Sequence, residues 1–141
     1  MPTGKRLRGG GSCASVTKAQ REGIATLLIL DDDAAIADLV RVLLEDAGHQ
    51  AVVAPALDDL ATSHGVDCVV ADFIPLKTYS VAAARIWIAR VRDRFPGRPV
   101  VLVTAHTEAL RDRVALGITY LVLKPFDVDV LLATVDAALR A

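Results

Sequence analysis

The chain has 141 residues, 53% hydrophobic and 4% aromatic, with a formal net charge of −1. That length suits one domain with a proper core, and the composition excludes a disordered chain in favour of an Ala/Val/Leu-packed α/β protein. Residues 1–22 hold five bases and one acid, which leaves the remainder at −5 and argues against a nucleic-acid-binding core.

In chain order, residues 1–22, centred on Gly9-Gly10-Gly11-Ser12, read as a flexible basic arm, with the folded domain over 23–141. Five apolar runs follow, at 24–30, 50–54, 67–71, 99–103 and 118–123, and each predicts a strand, the first of them buried. Between the first two, Ile36, Leu39, Val40, Leu43 and Leu44 keep helical spacing up to Gly48. A short helix is expected over 56–64, ending at His64-Gly65. A longer one covers Val81 to Phe95 and stops at Pro96-Gly97. A fourth runs from about Thr107 to Leu116, before Gly117, and Asp127 caps a fifth that carries Val128, Leu131, Leu132, Val135 and Leu139.

Strand and helix therefore alternate five times, which implies a parallel sheet covered on both faces. Ligands of such open sheets bind beyond the carboxyl ends of the strands. There the sequence places Asp31-Asp32-Asp33, Asp72, Thr104-Ala105 and Lys124-Pro125-Phe126. Two adjacent carboxylates at ~5 Å and an effective dielectric of ~20 repel by roughly 3 kcal/mol. A hard cation with oxygen ligands relieves that repulsion. A solvated turn with Asp33 as a helix N-cap is the plain alternative. Plain readings exist elsewhere too: a capping Asp72, an ordinary strand-end Thr104 and a solvated Lys124.

Four segments together, Ile29 to Asp33, Val69 to Asp72, Val101 to Ala105 and Lys124 to Phe126, resemble a response-regulator receiver domain. This is the CheY-like module of two-component signalling, and the likeness extends from about Thr26 to Leu139. It implies a flavodoxin-like (βα)5 doubly wound sheet of five parallel strands in the order 2-1-3-4-5. It also implies that Asp72 is the phosphoacceptor and that Mg²⁺ is held by Asp31, Asp32, Asp72 and the Ile74 carbonyl. Lys124 would pair with phosphoryl oxygens and Thr104 would offer a hydroxyl. The implied partners are a histidine kinase or histidine phosphotransfer protein upstream and a target protein downstream. Nucleic acid and membrane are not expected as partners, and a monomer or weak homodimer is.

On this reading the chain is a stand-alone phosphoacceptor signalling protein rather than an enzyme, with only self-phosphorylation and slow autodephosphorylation. No stretch is long enough to span a bilayer, and the arm does not resemble a signal peptide. A cytoplasmic location is therefore expected, with Cys13 and Cys68 as free thiols. Receivers commonly carry Pro four residues and Gly eight residues after the acceptor, where this chain has Leu76 and Ser80. The usual switch aromatic is replaced by Leu121, with Tyr120 one place earlier and on the opposite face of a regular strand. The rivals are a pseudo-receiver adaptor or dimerisation module and, more weakly, an aspartyl-phosphate hydrolase using Asp31 and Asp33.

Overall fold

The computed structural model describes residues 25–57, 65–73 and 76–141. The expected basic arm with Cys13, Ile24 of the first expected strand, residues 58–64 of the second expected helix, and Ile74 with Pro75 lie outside the described residues. Within them the order is β1 (Thr26–Leu30), α1 (Ala34–Asp46), β2 (Gln50–Ala54), β3 (Cys68–Ala71) and α2 (Val81–Arg94). Then come β4 (Val100–Thr104), α3 (Glu108–Arg111), α4 (Arg113–Leu116), β5 (Tyr120–Leu123) and α5 (Val128–Arg140).

All five strands are parallel, in the order β2-β1-β3-β4-β5. The continuous apolar runs suit the middle of a doubly covered sheet, and β1, β3 and β4 are almost wholly buried. Side chains alternate between two cores, as a strand's period of two requires. Leu28, Leu30, Val69, Ala71 and Leu102 pack against Ala84, Trp87, Ile88 and Val91 of α2. Leu27, Ile29, Val70, Val101 and Val103 face Val40 and Leu44 of α1 and Leu131 and Val135 of α5. Truncating a fully buried leucine such as Leu102 to alanine costs ~2–5 kcal/mol, because the surroundings cannot close the cavity.

Caps fix where the helices start. Asp33 Oδ1 accepts from the Ala35 and Ile36 amides, and Asp127 Oδ1 from the Asp129 and Val130 amides. The fourth expected helix is divided in two at Asp112, whose backbone (φ −96°, ψ 8°) leaves the helical well. Its carboxylate is held by the Tyr79 hydroxyl and by Arg111. Bonds from Asp112 N to Glu108 O and from Leu116 N to Asp112 O keep the two halves in helical register. Since β2 and β3 lie on opposite sides of β1, the chain changes direction across the sheet there. The resulting crevice opens at the carboxyl ends of β1 and β3.

Candidate functional site

The three consecutive aspartates do three different things. Asp31, 6% exposed, turns inward: its Oδ1 accepts the Asp33 amide at 2.9 Å and its Oδ2 lies 2.8 Å from Lys124 Nζ. Asp32 is exposed, and Asp33 is the N-cap of α1. The N-cap expected at Asp33 is thus present, and it leaves Asp31 and Asp32 free of that task.

Asp72 follows β3, its amide still bonded to Leu30 O at 2.9 Å, so the sheet ladder itself carries it to Asp31. Its two oxygens are separately engaged, Oδ1 by the Phe73 amide at 2.7 Å and Oδ2 by Lys124 Nζ at 3.1 Å. Lys124 arrives from β5, its amide bonded to Thr104 O at 2.8 Å, and the Lys124–Pro125 peptide is cis. Burial pulls the Lys124 pKa down, but hydrogen bonds and charge from Asp31 and Asp72 more than offset this and hold it above its ordinary value.

Asp31, Asp32 and Asp72 each offer a carboxylate oxygen, all within 4.8 Å of one another. Oxygens around an octahedral Mg²⁺ with bonds of about 2.1 Å lie roughly 3–4 Å apart, so small side-chain movements suffice to bring this donor set onto such an ion. The donors are all hard oxygen ligands, which suits Mg²⁺ and not a thiolate-seeking metal. The Ile74 carbonyl expected as a further ligand lies outside the described residues.

No protein-family model matches the sequence, and no curated protein is significantly similar to it. Solved structures do match. A response regulator receiver protein from Burkholderia phymatum is 29% identical over 82% of this chain and 95% of its own, with a TM-score of 0.65. The chain folds as a CheY-like receiver domain. A response regulator from Thermotoga maritima (24% identity, 84% and 99% coverage, TM-score 0.66) shares the fold. So does a receiver domain protein from Clostridium thermocellum (21%, 82% and 94%, TM-score 0.64).

Thr104 of this receiver is fully buried, and its Oγ1 accepts the His106 amide at 3.0 Å. It shares the α2-facing side of β4 with Val100 and Leu102. On β5, Leu121 packs towards that same core whereas Tyr120 packs with the α1 and α5 core. The strand is thus regular at this point, and Tyr120 lies on the face away from Thr104.

Beside His106 the aromatic contacts come instead from the segment after β3. The Tyr79 ring centroid is 5.8 Å from His106 and 6.0 Å from Phe73, and its hydroxyl donates to Asp112 Oδ2 at 2.8 Å. Burial first, then the hydrogen bond to Asp112, pushes the Tyr79 phenol up to about 12. Ser80, at the receiver family's glycine place, is the N-cap of α2, its Oγ accepting the Ala83 amide at 3.1 Å.

Sequence reasoning missed Tyr79, Asp112 and Trp87. Tyr79 and Asp112 are 33 residues apart with no local pattern joining them. Trp87 falls on the apolar stripe of α2 and reads from sequence as core alone. Among the described residues, no helix is long and apolar enough to cross a membrane.

Proposed function

We propose that this receiver accepts a phosphoryl group on Asp72 from a phosphohistidine of a kinase or phosphotransfer protein, and signals by phosphorylation-biased docking. The observation that carries the reading is Lys124 Nζ bridging Asp31 and Asp72 at the sheet edge. Phosphoryl transfer needs little covalent help from a protein and much positioning and charge. A carboxylate oxygen of Asp72 attacks phosphorus, the P–N bond to the donor imidazole breaks with its electron pair going to the ring nitrogen, and the imidazole leaves neutral, keeping the proton already on its other nitrogen. Lys124 would exchange a carboxylate contact for a phosphoryl oxygen, balancing the negative charge that the transferred group brings.

Asp31, Asp32 and Asp72 would hold Mg²⁺. When bound, the ion offsets the combined negative charge of the donor and the carboxylates. The product is an acyl phosphate whose phosphoryl group carries up to two negative charges where the carboxylate carried one; it is hydrolysed slowly, so the domain is a stoichiometric acceptor rather than a turnover enzyme. Buried Thr104 then has a reason to exchange its His106 contact for a phosphoryl oxygen. That exchange shifts the 105–118 segment between pre-existing arrangements. The docking surface formed by that segment, β5 and α5 would face a target protein in the cytoplasm, with the chain monomeric or weakly dimeric.

The hydrolase alternative needs a carboxylate two residues from its nucleophile. Asp33 is engaged as a helix cap and Ile74, not a carboxylate, stands two residues after Asp72, so nothing favours it. The decisive experiment is stoichiometric, Mg²⁺-dependent labelling of the full chain by acetyl phosphate and by a panel of phosphohistidine donors. Asp72→Asn should abolish it without loss of fold. Labelling that persists in Asp72→Asn, or multiple turnovers of a small phosphomonoester, would refute the assignment.

A further inference from the structure

Trp87, the single tryptophan of the chain, is 3% exposed on α2, and its indole Nε1–H donates to the Asp72 carbonyl at 2.8 Å. That carbonyl belongs to the peptide whose other end, the Phe73 N–H, donates to Asp72 Oδ1 at 2.7 Å. One amide plane thus links Trp87 to the carboxylate. The order is indole N–H to carbonyl oxygen, then amide N–H to Oδ1.

We propose that Trp87 is a positioning residue for the acceptor Asp72, acting through the Asp72–Phe73 peptide. The inference rests on the phosphoacceptor reading and deepens it. Two effects follow from the chain of hydrogen bonds. The indole fixes the rotation of an amide that has already left the sheet, since the last β3–β4 pair is Ala71 with Leu102. A rigid amide sets where the Asp72 carboxylate rests, which matters because transfer rates fall steeply with misplacement of the reacting atoms. Hydrogen bonding at the amide oxygen also polarises the group and strengthens its N–H as a donor to Oδ1. With Lys124 on Oδ2, both oxygens of the carboxylate are then aligned before a donor arrives. The acceptor loop here lacks the receiver family's usual proline and glycine places, and the indole supplies a restraint from outside the loop.

A buried indole needs a hydrogen-bond partner in any case, so the test must separate positioning from packing. Trp87→Phe keeps an aromatic ring and removes the donor. An isosteric benzothienyl analogue of tryptophan at position 87 removes only the N–H and guards against a packing failure. Single-turnover labelling of the full chain with acetyl phosphate and Mg²⁺ is measured under conditions where each protein is fully folded by circular dichroism. The Phe73 amide resonance is followed by NMR in parallel.

The expected result is a labelling rate constant about tenfold lower in both variants. The Phe73 amide proton should move upfield as its bond to Oδ1 weakens. A merely structural tryptophan would lower the melting temperature and leave both readings unchanged. If the wild-type chain is labelled and the folded variants are labelled equally fast, the positioning role is overturned alone. If the wild-type chain takes no label from any donor, the phosphoacceptor reading falls and the inference falls with it.

Discussion

The ammonium of Lys124 lies 3.1 Å from Asp72 Oδ2 although 52 residues separate the two in sequence. It also lies 2.8 Å from Asp31 Oδ2, so one cation bridges the carboxylate pair that the β1 and β3 ends force together and offsets one of its two charges. The ion pair is a consequence of parallel topology. Strands β1 and β3 are neighbours, and the β4–β5 pair delivers Lys124 to the same edge.

Replacing that cation with a neutral residue leaves two partly buried carboxylates facing each other. Lys124→Gln should destabilise the chain by about 1–3 kcal/mol in EDTA, less than the loss of a fully dry pair, because Asp72 and Lys124 keep some solvent. Millimolar Mg²⁺ should recover more stability in this variant than in the wild type, since the ion then takes over the neutralisation. Urea titrations with and without Mg²⁺ measure both terms. Equal midpoints for the two proteins in EDTA would remove the basis for this electrostatic account. The raised Lys124 pKa fixes the sign in alkali: the pair's contribution is fully present below the ordinary lysine value of 10.5 and fades as pH climbs through the folded value.

Asp31 and Asp32 should separate structure from ion binding. Mg²⁺ that binds only the folded chain raises its melting midpoint by mass action. Asp32 is exposed, so Asp32→Asn should leave the metal-free midpoint nearly unchanged and reduce the Mg²⁺ response. Asp31 also accepts the Asp33 amide and the Lys124 ammonium, so Asp31→Asn should lower the midpoint even in EDTA. Differential scanning fluorimetry over a Mg²⁺ series tests both. A wild-type midpoint indifferent to Mg²⁺ would rule the acidic cluster out as an ion site.

The fold and the acidic edge were legible in the sequence because both depend on local pattern. Apolar runs of strand length separated by helical periods dictate a parallel sheet with Asp31, Asp72, Thr104 and Lys124 at its strand ends, whereas the order 2-1-3-4-5 came from the family resemblance. Boundaries moved by one or two residues. Strand β5, expected from 118, starts at Tyr120, because Ile118 N is tied to Arg113 O in the turn that closes α4. The break at Asp112 was not legible, since it depends on a tyrosine 33 residues earlier. Nor was the indole contact: amphipathic spacing puts Trp87 inside but says nothing about which carbonyl its N–H meets. The pattern reveals which face a residue occupies; side-chain hydrogen bonds across elements need the assembled structure.

Cys68 is wholly buried on β3, and burial first, then the neighbouring Asp67 charge, pushes its thiol up to about 12. A thiol with almost no thiolate at neutral pH is a poor nucleophile. Iodoacetamide at pH 7.5 should leave the Cys68 peptide unmodified in the native chain and modify it fully in urea, as read by mass spectrometry. Rapid native labelling at Cys68 would mean that β3 opens readily.

His49 sets an acid limit to stability. Its Nδ1 accepts the Ala25 amide at 3.0 Å, which requires that nitrogen to be unprotonated. Burial lowers its pKa below the ordinary 6.5, with the Asp136 charge opposing the shift. A group depressed in the folded state contributes stability above its unfolded value and loses it as pH falls through the folded one. The wild type should therefore lose stability below pH 6.5 more steeply than His49→Asn, whose amide oxygen can accept the same N–H without titrating. Urea midpoints between pH 7.5 and 5 provide the comparison, and parallel curves would exclude His49 as the titrating group.

At the alkaline end, Tyr79 offers a direct optical reading of the loop next to Thr104. Its phenol, raised to about 12 by burial and by donation to Asp112, should ionise late in an absorbance titration at 295 nm, and Tyr79→Phe should delete that late step. Stability linked to the protonated phenol is present below its ordinary value of 10 and is lost as pH rises through about 12. The same variant frees the Asp112 carboxylate from one of its two partners, so amide exchange across 108–116 should quicken. Removing the contact between the acceptor loop and this segment should also alter how much of the segment shifts when the acceptor site is occupied by a phosphoryl mimic such as fluoroberyllate. Hydrogen exchange with and without the mimic measures that coupling. Identical exchange patterns in wild type and Tyr79→Phe would show that Tyr79 packs beside His106 without transmitting anything to the helix pair.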